Sequence, residues 1–269
     1  MCGATGMIGR IKRELHVPFI HILFVCVFVF PPQKACSMSE RYSRQLLLPE
    51  VGEAGQQLIR QASVLVVGAG GLGSPISIYL AGAGVGRLGI VDDDEVSITN
   101  LHRQILYSTS QVGQSKAPLA AERLMDLNPD CKVEAHAVRL TPENAERLIA
   151  QYDIVVDGTD NFATRFLIDD CCARLSRPYV YGAVGGFCGQ VSVFHAGPHP
   201  HSYRELYPDE EATLRMPHPS KAILGPTPAC VGSVMATQTL MLIAHFGQPL
   251  IGRLWTIDLR DMMSAVIEL

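Results

Sequence analysis

The chain has 269 residues, of which 48% are hydrophobic and 18% charged, and its formal net charge is −4. This apolar content excludes a disordered chain, and the length predicts one large α/β domain with an appendage at most. Because no block of basic residues offsets the acidic ones, a dedicated nucleic-acid binder is also excluded.

The first 37 residues differ in character from the rest. Three basic side chains precede an apolar run, Val17–Phe30. This run is shorter than the about 20 residues of a membrane span but suits the core of a signal peptide. Met38 begins well-mixed sequence, so a mis-assigned start codon is favoured over a membrane anchor or an ordered part of the fold. We therefore divide the chain into a leader or extension, residues 1–37, and one domain, residues 38–269.

The remainder alternates predicted helices and strands. An amphipathic, helix-like segment covers Ser39–Gln61, and the continuous apolar run Ser63–Val67 is typical of a strand buried on both faces. A glycine-rich turn leads into a helix with Pro75 near its first turn, where a missing N–H costs nothing. The second predicted strand is Arg87–Val91.

The alternation continues to residue 194. Further strands are predicted at Lys132–Leu140, Asp153–Asp157, Tyr179–Ala183 and Gln190–Phe194. Further helices are predicted at Lys116–Leu127, Pro142–Gln151 with Thr141 as its N-cap, and Phe162–Leu175. This pattern predicts a Rossmann-like, doubly wound and mainly parallel sheet with helices on both faces.

The C-terminal part has a different texture. Residues 197–228 are rich in proline without a clear period, which predicts a long crossover loop. A helix is predicted at Ala229–Phe246. The segments Arg253–Arg260 and Ser264–Leu269 are typical of a closing antiparallel hairpin or of edge strands.

The eight cysteines include no CxxC pair, which argues against both a zinc framework and a disulfide scaffold. Most of those in the body lie in apolar sequence, where buried thiols are usual. A reducing, cytoplasmic location is therefore expected, with membrane association only if the apolar run of the leader is translated and inserted.

A glycine-rich motif lies between the first predicted strand and the next helix. Gly68, Gly70 and Gly73 form G-x-G-x-x-G, and Gly71 lies inside it. Such glycines allow a tight turn and let backbone N–H groups approach phosphate oxygens at the start of a helix. Asp92 ends the second strand, where an acidic side chain accepts from ribose hydroxyls. Taken alone, the motif predicts an NAD-binding domain.

The sequence that follows favours a triphosphate instead. Loop-like sequence after the second strand carries Asn100, Arg103, Gln104 and Lys116. An arginine and a lysine hold the β- and γ-phosphates in nucleotidyl transfer, whereas a dehydrogenase has little use for them. Asp160 follows the fourth predicted strand, at the same edge of the sheet, and is a suitable ligand for Mg²⁺.

Seven motifs together resemble the HesA/MoeB/ThiF family over essentially all of residues 38–250. They are RYSRQ (Arg41–Gln45), GAGGLGS (Gly68–Ser74), LAGAGVG (Leu80–Gly86), DDDEVSITNLHRQ (Asp92–Gln104), GQSK (Gly113–Lys116), GTDN (Gly158–Asn161) and ILGPTP (Ile223–Pro228). Members of this family activate ubiquitin-like sulfur carriers and are similar to the adenylation domains of ubiquitin-activating enzymes.

The resemblance implies a nucleotidyltransferase. The C-terminal glycine carboxylate of a ThiS- or MoaD-type carrier, which ends in Gly-Gly, would attack the α-phosphate of ATP. The products would be a carrier acyl-adenylate and pyrophosphate, for thiamine or molybdopterin cofactor biosynthesis. The motifs are shared among these pathways, so the sequence leaves the pathway open.

The resemblance also implies residue roles. The nucleotide would be held by Gly68, Gly70, Gly71, Gly73, Asp92, Asn100, Arg103, Gln104 and Lys116. Of these, Asp92 would contact the ribose, and Asn100, Arg103 and Lys116 the phosphates. Asp160 would bind Mg²⁺. Arg44 would reach into the partner subunit's site as an arginine finger, which implies a homodimer.

Two departures from the family pattern matter. Many members bind a structural zinc through two CxxC pairs, but the first pair is replaced here by Ser202–Glu205 and the second is missing. We therefore expect no zinc, and we interpret His199, His201 and His218 as exposed loop residues. The cysteine that some members use for sulfur transfer would lie near Lys221, and residues 189–229 contain none.

Cys188 and Cys230 are the nearest cysteines, so the enzyme is expected to stop at the acyl-adenylate and to need a separate sulfur donor. Three alternatives stay open at this point: a carrier-binding scaffold without activity, an acyl-disulfide-forming enzyme that uses one of these cysteines, and an NAD-dependent oxidoreductase. The scaffold is disfavoured by the presence of all four residues with predicted catalytic roles, Arg44, Arg103, Lys116 and Asp160.

Overall fold

A computed structural model describes residues 40–217 and 222–269. The proposed leader lies outside the described residues, and so do His218 and Lys221. Within the described ranges, eight strands form one sheet in the order 3-2-1-4-5-6-7-8. Neighbouring strands from β3 to β5 are parallel, and those from β5 to β8 are antiparallel. The predicted fold class, including its antiparallel C-terminal portion, is confirmed.

The strands are β1 (Ser63–Val67), β2 (Arg87–Val91), β3 (Lys132–His136), β4 (Ile154–Asp157), β5 (Tyr179–Gly185), β6 (Cys188–Phe194), β7 (Arg253–Asp258) and β8 (Met263–Glu268). The α-helices are α1 (Ser43–Leu46), α2 (Gly52–Gln61), α3 (Gly73–Ala83), α4 (Lys116–Leu127), α5 (Ala145–Ile149), α6 (Phe162–Leu175), α7 (Tyr203–Leu206), α8 (Glu210–Leu214) and α9 (Pro226–Ala244).

The core lies on both faces of the sheet. Successive side chains of a strand point to opposite faces, and in β1 both sets are buried. Val64 and Val66 belong to a cluster that includes residues of α3, α4 and α9, whereas Leu65 and Val67 belong to one that includes α5 and α6. This burial on both faces explains why β1 is continuously apolar. By length and composition α9 could span a membrane, but it packs against α3 and β5 as a core helix.

The predicted first helix is wrong as a continuous element. α1 ends at Leu46 and α2 begins at Gly52. Pro49 lies between them and has no N–H to donate, and a residue before proline is disfavoured in the helical conformation. Gly52 adopts a φ of +50°, a backbone conformation that suits glycine.

The segment after β3 also differs from the prediction. β3 ends at His136 rather than at residue 140, and α5 begins at Ala145 with Asn144 at the N-cap position, so Thr141 is not its cap. The Asn144 side chain accepts from the Thr141 N–H at 2.9 Å and donates to the Arg139 carbonyl at 2.8 Å. These bonds close a turn where a strand end and a helix start were expected.

The described part of the crossover segment contains helices as well as loops. It contains α7 and α8, and α9 begins inside the predicted loop, at Pro226. Ser202 and Glu205 form a capping box at the start of α7. The buried carboxylate of Asp169 on α6 accepts from the Ser202 hydroxyl at 2.8 Å and from the Tyr203 N–H at 2.9 Å. A hydrogen-bonded carboxylate therefore anchors the segment that replaces the first CxxC pair of the family pattern.

The low pKa of Glu134 on β3 predicts that the stability of the fold depends on pH. Hydrogen bonds from Arg87 and Lys132 lower its pKa from 4.5 to about 2. A depressed folded-state pKa contributes stability above pH 4.5, which is lost as the pH falls toward 2. We expect Glu134→Gln to cost about 1 kcal/mol of unfolding free energy at pH 7, since both partners are partly solvated, and almost nothing at pH 2.5. Urea denaturation at both pH values measures this, and an equal loss at both would contradict it.

Candidate functional site

The crevice at the carboxyl ends of the parallel strands is the first candidate. β1 is flanked by β2 and β4. The next α-helix after β2, α4, packs on one face of the sheet, and the next one after β4, α6, packs on the other. Ligands of such sheets bind at this switch point. The Gly68 N–H donates to the Val91 carbonyl and the Gly158 N–H to the Val67 carbonyl, both at 2.7 Å. These two bonds link the ends of all three strands.

The four motif glycines divide into two pairs. A Cβ on Gly68, whose φ is +92°, would lie 2.7 Å from the Gly158 carbonyl oxygen, and one on Gly73 would lie 1.9 Å from the Gly68 carbonyl oxygen. These two positions therefore require glycine for the turn and for close helix packing. A Cβ on Gly70 or Gly71 would lie 3.4 Å from its nearest neighbours, an ordinary van der Waals contact. Contacts within the protein therefore do not require glycine at the second pair, and glycine there lets a phosphate approach the backbone.

Arg103 and Gln104 lie against this second pair. Arg103 Cδ is 3.4 Å from the Cβ position of Gly71, and Gln104 Nε2 is 3.4 Å from that of Gly70. Gln104 is only 5% exposed, and its Oε1 finds no hydrogen-bond partner within the described ranges. The Asn100 Oδ1 accepts from Arg103 Nη2 at 2.9 Å, which fixes the guanidinium. The structure thus brings these three predicted residues together at the glycine loop.

Asp92 follows β2 at the same edge. Its Oδ2 accepts from the Ala69 N–H at 2.7 Å, and its Oδ1 accepts from the Asp94 N–H at 2.9 Å. Burial raises its pKa above the usual value, opposed by the bond from Ala69 and by the charge of Lys116. The carboxylate oxygens have lone pairs left over, so they can also accept from a ligand hydroxyl.

Lys116 opens α4 and is 2% exposed. Its Nζ lies 2.7 Å from Asp94 Oδ2, and its backbone N–H donates to the Asp94 carbonyl at 2.9 Å. The Asp94 side chain is itself 69% exposed. A phosphate would therefore have to compete with an exposed carboxylate for this buried ammonium group.

Asp160 and Arg44 are both exposed. Asp160 lies between β4 and α6, and Arg44 lies on α1. In the described part of the chain, no hydrogen bond or ion pair of the Arg44 side chain joins it to the other predicted residues. The roles of both residues stay predictions.

The two cysteines differ in setting. Cys188 is exposed at the start of β6, and Cys230 is partly buried in α9. Desolvation and the neighbouring Asp258 carboxylate raise the pKa of the Cys188 thiol. A raised thiol pKa disfavours the nucleophilic thiolate, so the environment gives Cys188 no activation.

Three side chains that support the crevice were missed by the sequence analysis. The Tyr107 hydroxyl donates to the Ala69 carbonyl at 2.9 Å, inside the glycine loop. Asp157 and Arg165 form a buried ion pair beneath the turn that carries Asp160. Little in the sequence indicates that Asp157 and Arg165 are buried, because an aspartate at a strand end and an arginine in a helix usually face solvent.

Comparison with known proteins shows extensive similarity. The ThiF family profile matches residues 42–269. A sulfur carrier protein adenylyltransferase from Thermus thermophilus is 47% identical over 227 residues, which cover 81% of this chain and 83% of that protein. A probable adenylyltransferase/sulfurtransferase, MoeZ from Mycobacterium tuberculosis, is 43% identical over 244 residues, 88% of this chain but 62% of that protein. The chain spans half of a maize MOCS3 that is 44% identical.

Solved structures agree in fold. The Escherichia coli MccB structure with ATP gives a TM-score of 0.76 at 22% identity, covering 86% of this chain and 71% of that one. PaaA gives a TM-score of 0.74 at 21% identity, covering 88% and 77%. At this level of identity the likeness concerns the fold alone.

Proposed function

This chain belongs to the ThiF family, and on that basis we propose that it is an adenylyltransferase for a ubiquitin-like sulfur carrier. The carrier's C-terminal glycine carboxylate attacks the α-phosphate of ATP. A new bond joins that carboxylate oxygen to the α-phosphorus, and the bond to the oxygen bridging the α- and β-phosphates breaks to release pyrophosphate. The observation that carries the proposal is the packing of Arg103 and Gln104 against Gly71 and Gly70 of the glycine loop, together with the Thermus relative of known name.

The residues of this chain suit such a displacement. A carboxylate that attacks a polyanion needs no general base, but the repulsion between the two must be offset by fixed positive charge. The Arg103 guanidinium, oriented by Asn100, provides one such charge. Lys116 provides a second when it exchanges Asp94 for a phosphate oxygen. Asp92 would accept from the ribose while it holds the Ala69 N–H.

Magnesium fits the donor set at this edge of the sheet. In the described residues no group of three or more His, Cys, Asp or Glu side chains could hold a metal by itself. Mg²⁺ does not need such a cage, because it commonly takes one or two carboxylates and completes its shell with water and phosphate oxygens. The exposed Asp160 would hold it. When bound, the ion neutralises charge on the phosphates.

We further propose a homodimer in which Arg44 acts on the partner's nucleotide. In support, the Arg44 side chain is exposed, as action in trans requires. Next to it, Leu47 and Leu48 are 69% and 53% exposed. Exposed apolar side chains of this size in one short segment are typical of an interface.

The sulfur would come from a separate donor in the cytoplasm. Cys188 is not activated in its surroundings. Relatives named for sulfur transfer as well as adenylation are longer than the matched region. The product would serve thiamine or molybdopterin cofactor biosynthesis, and carrier specificity in the assay below would separate the two.

Pyrophosphate exchange tests the proposal directly. We expect labelled pyrophosphate to enter ATP only when Mg²⁺ and a carrier ending in Gly-Gly are both present. ThiS-type and MoaD-type carriers should be compared, with each carrier truncated by its last glycine as the control. Absence of exchange with either carrier, by a protein that still binds ATP, would contradict the proposal and favour the inactive scaffold.

A further inference from the structure

A buried ion pair lies beneath the turn that carries Asp160. Asp157, the last residue of β4, is fully buried, and Arg165 on α6 is 7% exposed. Arg165 Nε lies 3.5 Å from Asp157 Oδ2, and Arg165 Nη2 donates to the Thr159 carbonyl at 2.9 Å. The arginine thus connects the end of a central strand to the turn that follows it.

Asp157 holds the same turn from below. Its Oδ1 accepts from the Thr159 N–H at 2.8 Å and from the Thr159 hydroxyl at 2.6 Å, while its Oδ2 accepts from the Tyr179 hydroxyl at 2.8 Å. Burial raises the pKa of Asp157, and the Arg165 charge is the strongest influence in the opposite direction. Thr159 is therefore held at its N–H, its hydroxyl and its carbonyl.

The residues on either side are held as well. A Cβ on Gly158 would lie 2.6 Å from the Gly68 carbonyl oxygen, so the turn lies directly on the glycine loop. On the other side, the Asn161 side chain accepts from the Thr164 N–H at 2.9 Å and caps α6. Asp160 thus has a fixed backbone on both sides and an exposed side chain.

The surroundings of Arg165 require a planar cation. Its guanidinium carbon lies 5.6 Å from the centre of the Tyr181 ring and 5.9 Å from that of Phe162. A guanidinium group can contact rings while it donates a hydrogen bond on one side and pairs with a carboxylate on another, whereas an ammonium group is a compact point charge. Lysine at this position should therefore keep the charge but lose either the ion pair with Asp157 or the hydrogen bond to the Thr159 carbonyl.

A role in stability alone does not account for this pair. Burying two charges is costly, and apolar residues of similar volume often stabilise a fold at least as well. What the pair adds is a defined conformation of the turn. Groups that orient a metal ligand without touching the metal typically change metal affinity 10- to 100-fold.

We propose that Arg165 and Asp157 are positioning residues that hold the Asp160 carboxylate at the nucleotide-bound Mg²⁺. Neither side chain contacts the metal or the nucleotide. The inference rests on the proposed function, because it takes Asp160 as the magnesium ligand.

The test separates positioning from stability with a double variant. Arg165→Met or Asp157→Asn alone leaves a buried charge uncompensated and is expected to unfold the protein partly. Asp157→Asn combined with Arg165→Met removes both charges and should fold. Arg165→Lys keeps the charge, so the gain in nucleotide affinity from Mg²⁺ should lie between those of the wild type and the double variant. Arg174→Met is the matched control, since Arg174 is on the same helix but exposed, and among the described residues its side chain pairs with Glu146 and Cys171.

Calorimetric titration with a non-hydrolysable ATP analogue, in Mg²⁺ and in EDTA, gives the gain in affinity that the metal provides. We expect this gain to fall about 10-fold or more in the double variant and to a similar extent in Asp160→Asn. In EDTA, the affinity for the ATP analogue should stay within about threefold of wild type, because the substitutions remove no contact between the protein and the nucleotide. Amide hydrogen exchange over residues 157–161 should become faster in the double variant and stay unchanged in Arg174→Met.

A folded double variant with the wild-type magnesium gain and wild-type hydrogen exchange would overturn the proposal. It would also be overturned if Mg²⁺ gave the wild-type protein no gain in affinity. Because none of these measurements uses a carrier, they are independent of the exchange assay. A failed exchange assay with the expected magnesium results would refute the proposed reaction but leave the positioning role in place.

Discussion

Replacing Arg103 with alanine is expected to lower kcat for pyrophosphate exchange by about 10²- to 10³-fold, the usual cost of removing one group that stabilises transition-state charge. Arg103 lies on the glycine loop, and Asn100 orients its guanidinium. Its interaction should strengthen as charge moves onto the leaving pyrophosphate, so kcat should fall more than the apparent affinity for ATP. Steady-state exchange rates at several ATP concentrations measure both quantities.

Arg123→Ala is the matched control. Arg123 is on α4, about half exposed, and in the part of the chain that the structure describes its side chain pairs with Asp126. Its replacement should leave exchange within about twofold of wild type, since exposed ion pairs contribute little. If Arg103→Ala raised KM for ATP at an unchanged kcat, Arg103 would bind substrate and transition state equally, and the charge-stabilising role would be wrong.

Replacing Gly73 with alanine is expected to prevent stable folding. The added Cβ would lie 1.9 Å from the Gly68 carbonyl oxygen, a backbone atom that cannot rotate away. Relief requires α3 to move off the end of β1, which would open the contact between the glycine loop and the core. We expect a loss above about 4 kcal/mol of unfolding free energy, which exceeds the cost of most single substitutions. Soluble yield and thermal unfolding measure it.

Gly82→Ala, in the same helix, is expected to raise the free energy of unfolding instead of lowering it. Gly82 is exposed in α3, and an added Cβ there would meet nothing within 4 Å. Alanine should stabilise the helix by about 0.5–1 kcal/mol, because it restricts the unfolded backbone. A Gly73→Ala protein as stable as wild type would show that α3 has more freedom at its start than the contact distance implies.

Local patterns in the sequence predicted the central fold correctly. β1 and β2 have the predicted bounds, and so do α4 and α6. Strands buried on both faces are continuously apolar, and longer helices repeat their pattern over several turns, so the signal is strong in each case. The two helices that were not predicted are short: α7 and α8 have only four and five residues, too few for a period to emerge.

The sequence by itself also predicted which residues form the candidate site. The glycine motif, Arg103 and Lys116 can be recognised in the sequence because their spacing along the chain is typical of a nucleotide-binding site. Only the tertiary structure decided which partners they have. Asp94 pairs with Lys116 across 22 positions, and Tyr179 donates to Asp157 across the same separation. Such contacts depend on strand order and burial, which bring distant residues together, and a linear pattern contains neither.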